Sequence, residues 1–395
     1  MLLTVSLFRG FGAFASIALV YVVYYLYSPA ISAEFFIFSS FCAFTSCVLR
    51  YGLDDYILKN FSSTQEQNPL AIILKATLLS LVITLMIMPL IPIYYQFSMP
   101  WYYFLLVPVS VINSLGSSYF QARRSFYISL VGSSFIVPLA TIVMIFIFSP
   151  SGIEELVLAF FLAILLQSAF LTCVCLKKRI YILPSQNISV FGKTQVVLWM
   201  NSVIGISAIH LIILVSSSYM SSDEFSNFVV LLRTCQGSLM ALVVINFTFV
   251  PHFRACILDS RLTDGETLYR RTCIFGLVCS LMITGLFLAV FQNPFDLVPI
   301  RLLEMKMNFF LLWPGFAISL CFGSIGYVYI LSSRERISTF VGFSTLVLQL
   351  SLIVGLNHYS YELFLILISC SYVLAKIVLY VIYRKHQQFK KFNYV

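Results

Sequence analysis

Charge is what this sequence has least of. Asp, Glu, Lys and Arg make up 10% of its 395 residues while 60% are hydrophobic, and soluble domains carry about 25% charged residues. With a mean hydropathy of +0.97, so few charges cannot keep a chain of this length in water, and lipid is its expected solvent. Histidine is equally scarce, at four, and none stands at ligand spacing from the Cys173/Cys175 pair, so no metal site is expected. Cysteine is not scarce, but Cys42, Cys47, Cys235, Cys279, Cys321 and Cys370 lie inside apolar runs, where a thiol behaves as a small hydrophobe. There are no paired carboxylates and no nucleophile elbow. Gly192-Lys193-Thr194 has the end of a phosphate-binding loop, yet position 187 is Asn where the first Gly belongs. These absences point away from an enzyme and call for no cofactor. The net charge of +9 sits mostly between apolar runs, so it reads as membrane topology and not as affinity for nucleic acid.

What the chain does have is apolar length. Windows near residues 4–27, 35–58, 70–96, 101–121, 126–149, 154–176, 194–219, 225–251, 270–291, 308–331, 337–357 and 360–383 read as helices, about twelve in all, an all-α membrane protein with no large soluble domain. The first run passes twenty residues without a small-residue cleavage site, so no removable signal is expected. Basic residues fall in alternate connections: Lys59; Arg123 and Arg124; Lys177 to Lys193; Arg254 to Arg271; Arg334 and Arg336; and the tail from Arg384. Glu154, Glu155, Asp223 and Glu224 lie in the others, so both termini are expected to be cytoplasmic. Phe120-Gln121-Ala122-Arg123-Arg124 and Leu331-Ser332-Ser333-Arg334-Glu335-Arg336 open the fifth and eleventh helices, which aligns the halves as six helices plus six. The expected organisation is a lobe over 1–176, a cytoplasmic linker over 177–193, a second lobe over 194–383 and a basic tail over 384–395. Two such lobes would face a central cavity, with a site near the midplane as alternating access needs.

Ionisable residues inside apolar runs are the candidate site. Arg50 would lie nine residues inside the helix over 35–58, roughly 13 Å deep, where a guanidinium must face protein or a water-filled cavity. The competing reading is an intrahelical pair with Asp54, four residues along. Arg233 is similarly embedded in 225–251, with no acidic residue within a turn. His210, in the seventh helix, reads as an interhelical hydrogen-bonding group or a cavity residue. Asp54 and Asp55 read as solvated helix-end charges or as a gate. Lys376 is expected to snorkel to the cytoplasmic face.

One stretch resembles a known family. Tyr27-Ser28-Pro29-Ala30, an aromatic second helix closing on Arg50-Tyr51-Gly52-Leu53-Asp54-Asp55, and Phe120-Gln121-Ala122 are similar to motifs of the polysaccharide flippases. These form the Wzx, or O-antigen exporter, branch of the multidrug/oligosaccharidyl-lipid/polysaccharide (MOP) superfamily. The resemblance implies a MATE-like fold in a bacterial inner membrane. It also implies translocation of undecaprenyl-pyrophosphate-linked oligosaccharide repeat units, within a pathway that includes a polymerase. Arg50 and Arg233 are then the expected diphosphate contacts, because a planar guanidinium fork binds two phosphate oxygens and stays charged. His210, Asp54 and Asp55 become cavity or gate residues. The first helix departs from the family in having Tyr24 and Tyr25 where an Arg is common, and it has no Asp or Glu for cation coupling. Two other readings stand beside this one. A polysaccharide polymerase or polyprenyl-dependent glycosyltransferase would carry a large periplasmic loop, whereas these loops are short. A MATE-like multidrug exporter would carry a carboxylate in helix one.

Overall fold

The computed structural model describes residues 2–60, 70–87, 101–122, 125, 128–129, 135–177, 193–239, 249, 252–253, 256, 262–292, 305–323, 325–331, 335–355 and 360–388. Its elements are all helical: α1 (Leu2–Leu26), α2 (Pro29–Val48), α3 (Leu53–Asn60), α4 (Leu70–Ile87), a 3-10 turn (Trp101–Leu105), α5 (Leu106–Ala122), α6 (Ile136–Phe148), α7 (Ile153–Lys177), α8 (Lys193–Ser216), α9 (Ser222–Ser238), α10 (Leu262–Gln292), α11 (Lys306–Cys321), α12 (Ile325–Leu331), α13 (Glu335–Gly355) and α14 (Tyr361–Gln388). Among the described residues, seven helices are long and apolar enough to cross a membrane and four more are shorter but apolar. The chain is a multi-pass membrane protein. Arg123, Arg124, Tyr94, Tyr95, most of the expected linker and the end of the basic tail lie outside the described residues.

The expected helix over 35–58 is two helices. Its start is set by Ser28, whose hydroxyl accepts from the Ile31 amide at 3.4 Å, with Pro29 in the first turn. That capping pair begins α2 six residues ahead of the hydropathy window. Its end is set by backbone geometry. The Arg50 and Tyr51 amides bond back only three residues, to Cys47 and Val48 at 3.3 and 3.4 Å, and then Tyr51 (φ 52°) and Gly52 (φ 67°) turn left-handed. Gly52 tolerates that conformation, while a bulky side chain such as Tyr51 is strained in it by about 1–3 kcal/mol. Arg50 is therefore not buried mid-helix but sits in a break between α2 and α3. Hydropathy averaged over a window could not show this, because the break is set by the φ angles of Tyr51 and Gly52. The expected tenth helix, 308–331, is interrupted in the same manner. There α11 ends, Gly323 takes φ 54°, and α12 follows.

By their contacts the helices form two units, Leu3–Ser226 and Asn227–Val395. In the first, α5 packs against α2, α3, α4 and α7. Edge-on rings of Phe38 and Phe41 against Phe104 fill the interior. A polar clasp joins α5 to α7: the Asn113 amide donates to Gln167 Oε1 at 2.9 Å and accepts from the Ser168 hydroxyl at 2.8 Å. With the Asn113 amide also donating to the Ile164 carbonyl at 3.3 Å, such a clasp fixes register in an apolar interior. Helix α8 packs along α2, within this contact unit. In the second unit α11 lies between α10 and α14. Gly276 of α10 meets the Leu320 carbonyl, and Gly315 of α11 meets Ser369 of α14, so closely that neither position has room for a Cβ. Small residues of this kind let membrane helices approach backbone to backbone.

Candidate functional site

The break after α2 gathers the polar side chains of the first unit. Arg50 Nη1 bonds Asp54 Oδ2 at 2.9 Å, and both side chains are mostly buried. The second carboxylate, Asp55, accepts from the Ser202 hydroxyl of α8 at 2.7 Å. One turn earlier on α8, Trp199 Nε1 donates to the Val48 carbonyl at 2.8 Å, and the Cys47 thiol reaches the Ser202 carbonyl at 3.7 Å. Val48 is the last residue of α2, and its carbonyl, which receives only a long bond from the Tyr51 amide at 3.4 Å, gains the indole of Trp199 as a second and shorter donor. The sequence reading missed Trp199 and Ser202. Their signal was present as a Trp and a Ser three apart on one face of an apolar helix, but nothing in the sequence said which helix they would meet.

The electrostatics of this cluster are incomplete. Arg50 Nε and Asp54 Oδ1 are both buried without a hydrogen-bond partner among the described residues. Asp55 lies on the eight-residue α3, which is too short to cross a membrane. Burial raises its carboxyl to about 6, with the adjacent Asp54 charge adding to the rise, while the Ser202 hydroxyl and Arg50 act in the opposite direction. One buried arginine thus faces two aspartates of unequal status. Asp54 is its direct partner, and Asp55 is held by α8 instead.

The other expected site residues lie elsewhere. His210 is buried on α8, eight residues beyond Ser202 and so about 12 Å further along the helix, outside the Arg50 cluster. Arg233 belongs to α9, in the second unit. It is half-buried and interacts with Tyr372 of α14. The Tyr372 hydroxyl also lies beside Gln236 and Gln349, and Gln349 Nε2 donates to the Ser371 hydroxyl at 2.9 Å. Lys376, one turn beyond Tyr372, is half-buried on the same helix. It has no hydrogen bond or ion pair among the described residues. The second unit therefore holds a polar seam of Arg233, Tyr372, Gln236 and Gln349, with Lys376 one turn further along α14; none of these side chains is a carboxylate. A string of Gln, Tyr and Ser carrying cations is chemically suited to phosphate and hydroxyl groups, since it offers donors that stay charged or neutral but never negative. Among the described residues no cluster of His, Cys, Asp and Glu fits a metal ion.

Comparison with known proteins places the architecture. No protein-family model and no curated protein matches the chain. Solved structures do match. An inward-facing multidrug resistance MATE family transporter of the MOP superfamily superposes with a TM-score of 0.72, covering 99% of this chain and 96% of its own at 11% identity. A MOP superfamily transporter from Pyrococcus furiosus gives 0.68, with 98% and 95% covered at 14% identity. A Vibrio cholerae MATE transporter gives 0.68, with 99% and 97% covered at 14% identity. The fold is that of the MATE transporters. At these identities the likeness concerns the path of the chain and not the side chains that line it, so substrate must be argued from the residues above.

Proposed function

We propose that the chain is a flippase that moves undecaprenyl-pyrophosphate-linked oligosaccharide repeat units across the bacterial inner membrane by alternating access. The observation that carries this reading is the cationic polar seam of the second unit, in which Arg233 lies by Tyr372 and Tyr372 by Gln236 and Gln349, with Lys376 one turn further along α14. Arg50 adds a second buried guanidinium in the first unit, already engaged by Asp54, and it would exchange that carboxylate for a diphosphate. The substrate joins an anionic diphosphate to a hydroxyl-rich sugar chain, which is the chemistry such a seam complements. The fold fits a multidrug exporter equally well, but an exporter of cationic drugs needs a membrane carboxylate, and α1 contains no Asp or Glu. Among proteins of this fold, the Pyrococcus furiosus transporter is one whose reversed pocket polarity suggests a different function, which supports reading substrate class from the sign of the cavity.

The test is genetic and chemical. Loss of the gene should deplete surface polysaccharide and accumulate the lipid-linked repeat unit. Restoration should come from the wild type and not from Arg233→Ala expressed at the same level. Undiminished polysaccharide in the null strain, or dye efflux that depends on the protein, would instead favour the exporter.

A further inference from the structure

We infer that the groove between α10 and α14, at the end of the bundle where both helices become basic, is a binding site for an anionic phospholipid. It is a cavity of about 320 Å³ within the second unit, well separated in sequence from Arg233. Its walls hold Arg270, Arg384, Glu266, Tyr269, Tyr383 and Ile274.

The charge is laid out for a phosphodiester. Glu266 Oε1 holds Arg270 Nη2 at 2.7 Å, which orients one guanidinium. Arg384 is held at the other wall: its Nε donates to the Tyr380 hydroxyl at 2.8 Å and its head lies 5.4 Å from that ring. The remaining donors of both arginines have no partner among the described residues. Two arginines and one glutamate give the groove a net charge of +1, and Arg271 and Lys385 follow directly in sequence. A net negative headgroup complements this arrangement, and a zwitterionic one gains less.

Depth supports a lipid over a free phosphate. On α10 the stretch from Ile274 to Phe291 contains no charged residue and spans about 27 Å, close to the roughly 30 Å hydrocarbon core. On α14 the matching stretch is Leu363 to Val381, interrupted only by Lys376. Arg270 and Arg384 each lie about one turn beyond these stretches, at headgroup level, with Tyr269, Tyr380 and Tyr383 forming an interfacial aromatic belt. Below Arg270, the side chains of Ile274, Leu277, Val278 and Leu281 are exposed at helical spacing down α10. They offer an apolar ridge along which an acyl chain can lie. The headgroup meets the arginines and the tail follows the ridge.

The test uses the purified full chain in detergent, mixed with phosphatidylglycerol or phosphatidylcholine and examined by native mass spectrometry. Wild-type protein should retain phosphatidylglycerol over phosphatidylcholine by about fivefold or more, as two cations at a membrane surface provide. The double variant Arg270→Gln/Arg384→Gln should lose that preference. Both side chains are exposed, so the variant should keep the wild-type elution profile. Arg336→Gln, on the exposed start of α13, should retain the preference. Equal retention of the two lipids by the wild type, or an undiminished preference in the double variant, overturns the site. Complete displacement of the lipid by inorganic phosphate at the same concentration overturns the role of the ridge.

Discussion

At the scale of single residues, the break after α2 turns on three charges. Arg50 and Asp54 are four apart and joined at 2.9 Å with side chains mostly out of solvent. Exposed pairs of this spacing contribute about 0.3–0.5 kcal/mol and breaking a buried pair costs about 3–5 kcal/mol. A partly buried pair falls between, at about 1–3 kcal/mol. A double-mutant cycle with Arg50→Ala and Asp54→Ala, read by thermal melting of the purified protein, should show coupling of that size. A coupling near zero would mean the pair does not hold the break. Asp55 behaves differently. Its carboxyl is raised to about 6 by burial, so the folded protein binds that proton more tightly than the unfolded chain does. The stabilisation is fully present below the ordinary carboxylate range and is lost as pH rises through about 6. The melting temperature should therefore fall between pH 5 and pH 7.5, and Asp55→Asn should flatten that part of the profile. Ser202→Ala removes the hydroxyl that favours the charged form. It should move the window to higher pH and cost about 1 kcal/mol at pH 7.5. An unchanged pH profile in both variants would show that Asp55 is not the group responsible.

At the scale of elements, helix contacts in the second unit rest on missing side chains. Gly276 faces the Leu320 carbonyl with no room for a Cβ, whereas Gly285, two and a half turns along the same α10, has nothing within 4 Å. Gly276→Ala should therefore force α10 and α11 apart and destabilise by about 1–3 kcal/mol. Gly285→Ala should be neutral or stabilise by up to about 1 kcal/mol, because alanine favours helix. Equal melting temperatures for the two variants would contradict the packing. This is also the scale at which the sequence is least legible. The pattern of apolar windows overlaps the long helices but misses the breaks at Tyr51-Gly52 and Gly323, which depend on φ and not on hydropathy, so α3 and α12 are not expected from it as separate helices. It placed Arg50 and Asp54 four residues apart on one helical turn, and that geometry survives the break. It could not show that Trp199 and Ser202 would close on Val48 and Asp55, because that contact joins segments about 150 residues apart. The seam around Tyr372 was invisible for the same reason. Arg233 stands out as a cation in an apolar run, but Gln349 and Ser371 are unremarkable singly and acquire meaning only when α9, α13 and α14 come together.

At the scale of the whole molecule, the seven long spans, the four shorter apolar helices and α9 correspond in order to the twelve expected helices. An even count predicts that both termini share a side, and the sign of the charges at the helix ends predicts which. Glu154 and Glu155 begin α7 and Asp223 and Glu224 begin α9, whereas Lys177 ends α7 and Arg384 and Lys385 end α14. By the positive-inside rule the basic ends are the expected cytoplasmic ones, and that orientation is a prediction. In that predicted orientation the break carrying Arg50 would lie toward the cytoplasmic side, where the proposed substrate would be loaded. A green fluorescent protein fused after Val395 should fluoresce, and alkaline phosphatase inserted after Ser151, between α6 and α7, should be active. Active phosphatase at the C-terminus would mean that the orientation is inverted or that the number of crossings is odd. An inverted orientation would move the Arg50 break to the outer face and the lipid groove to the outer leaflet. The loading role of Arg50 would then fail, while the cationic seam around Arg233 would keep its chemistry. The topology experiment therefore separates the direction of transport from the nature of the substrate.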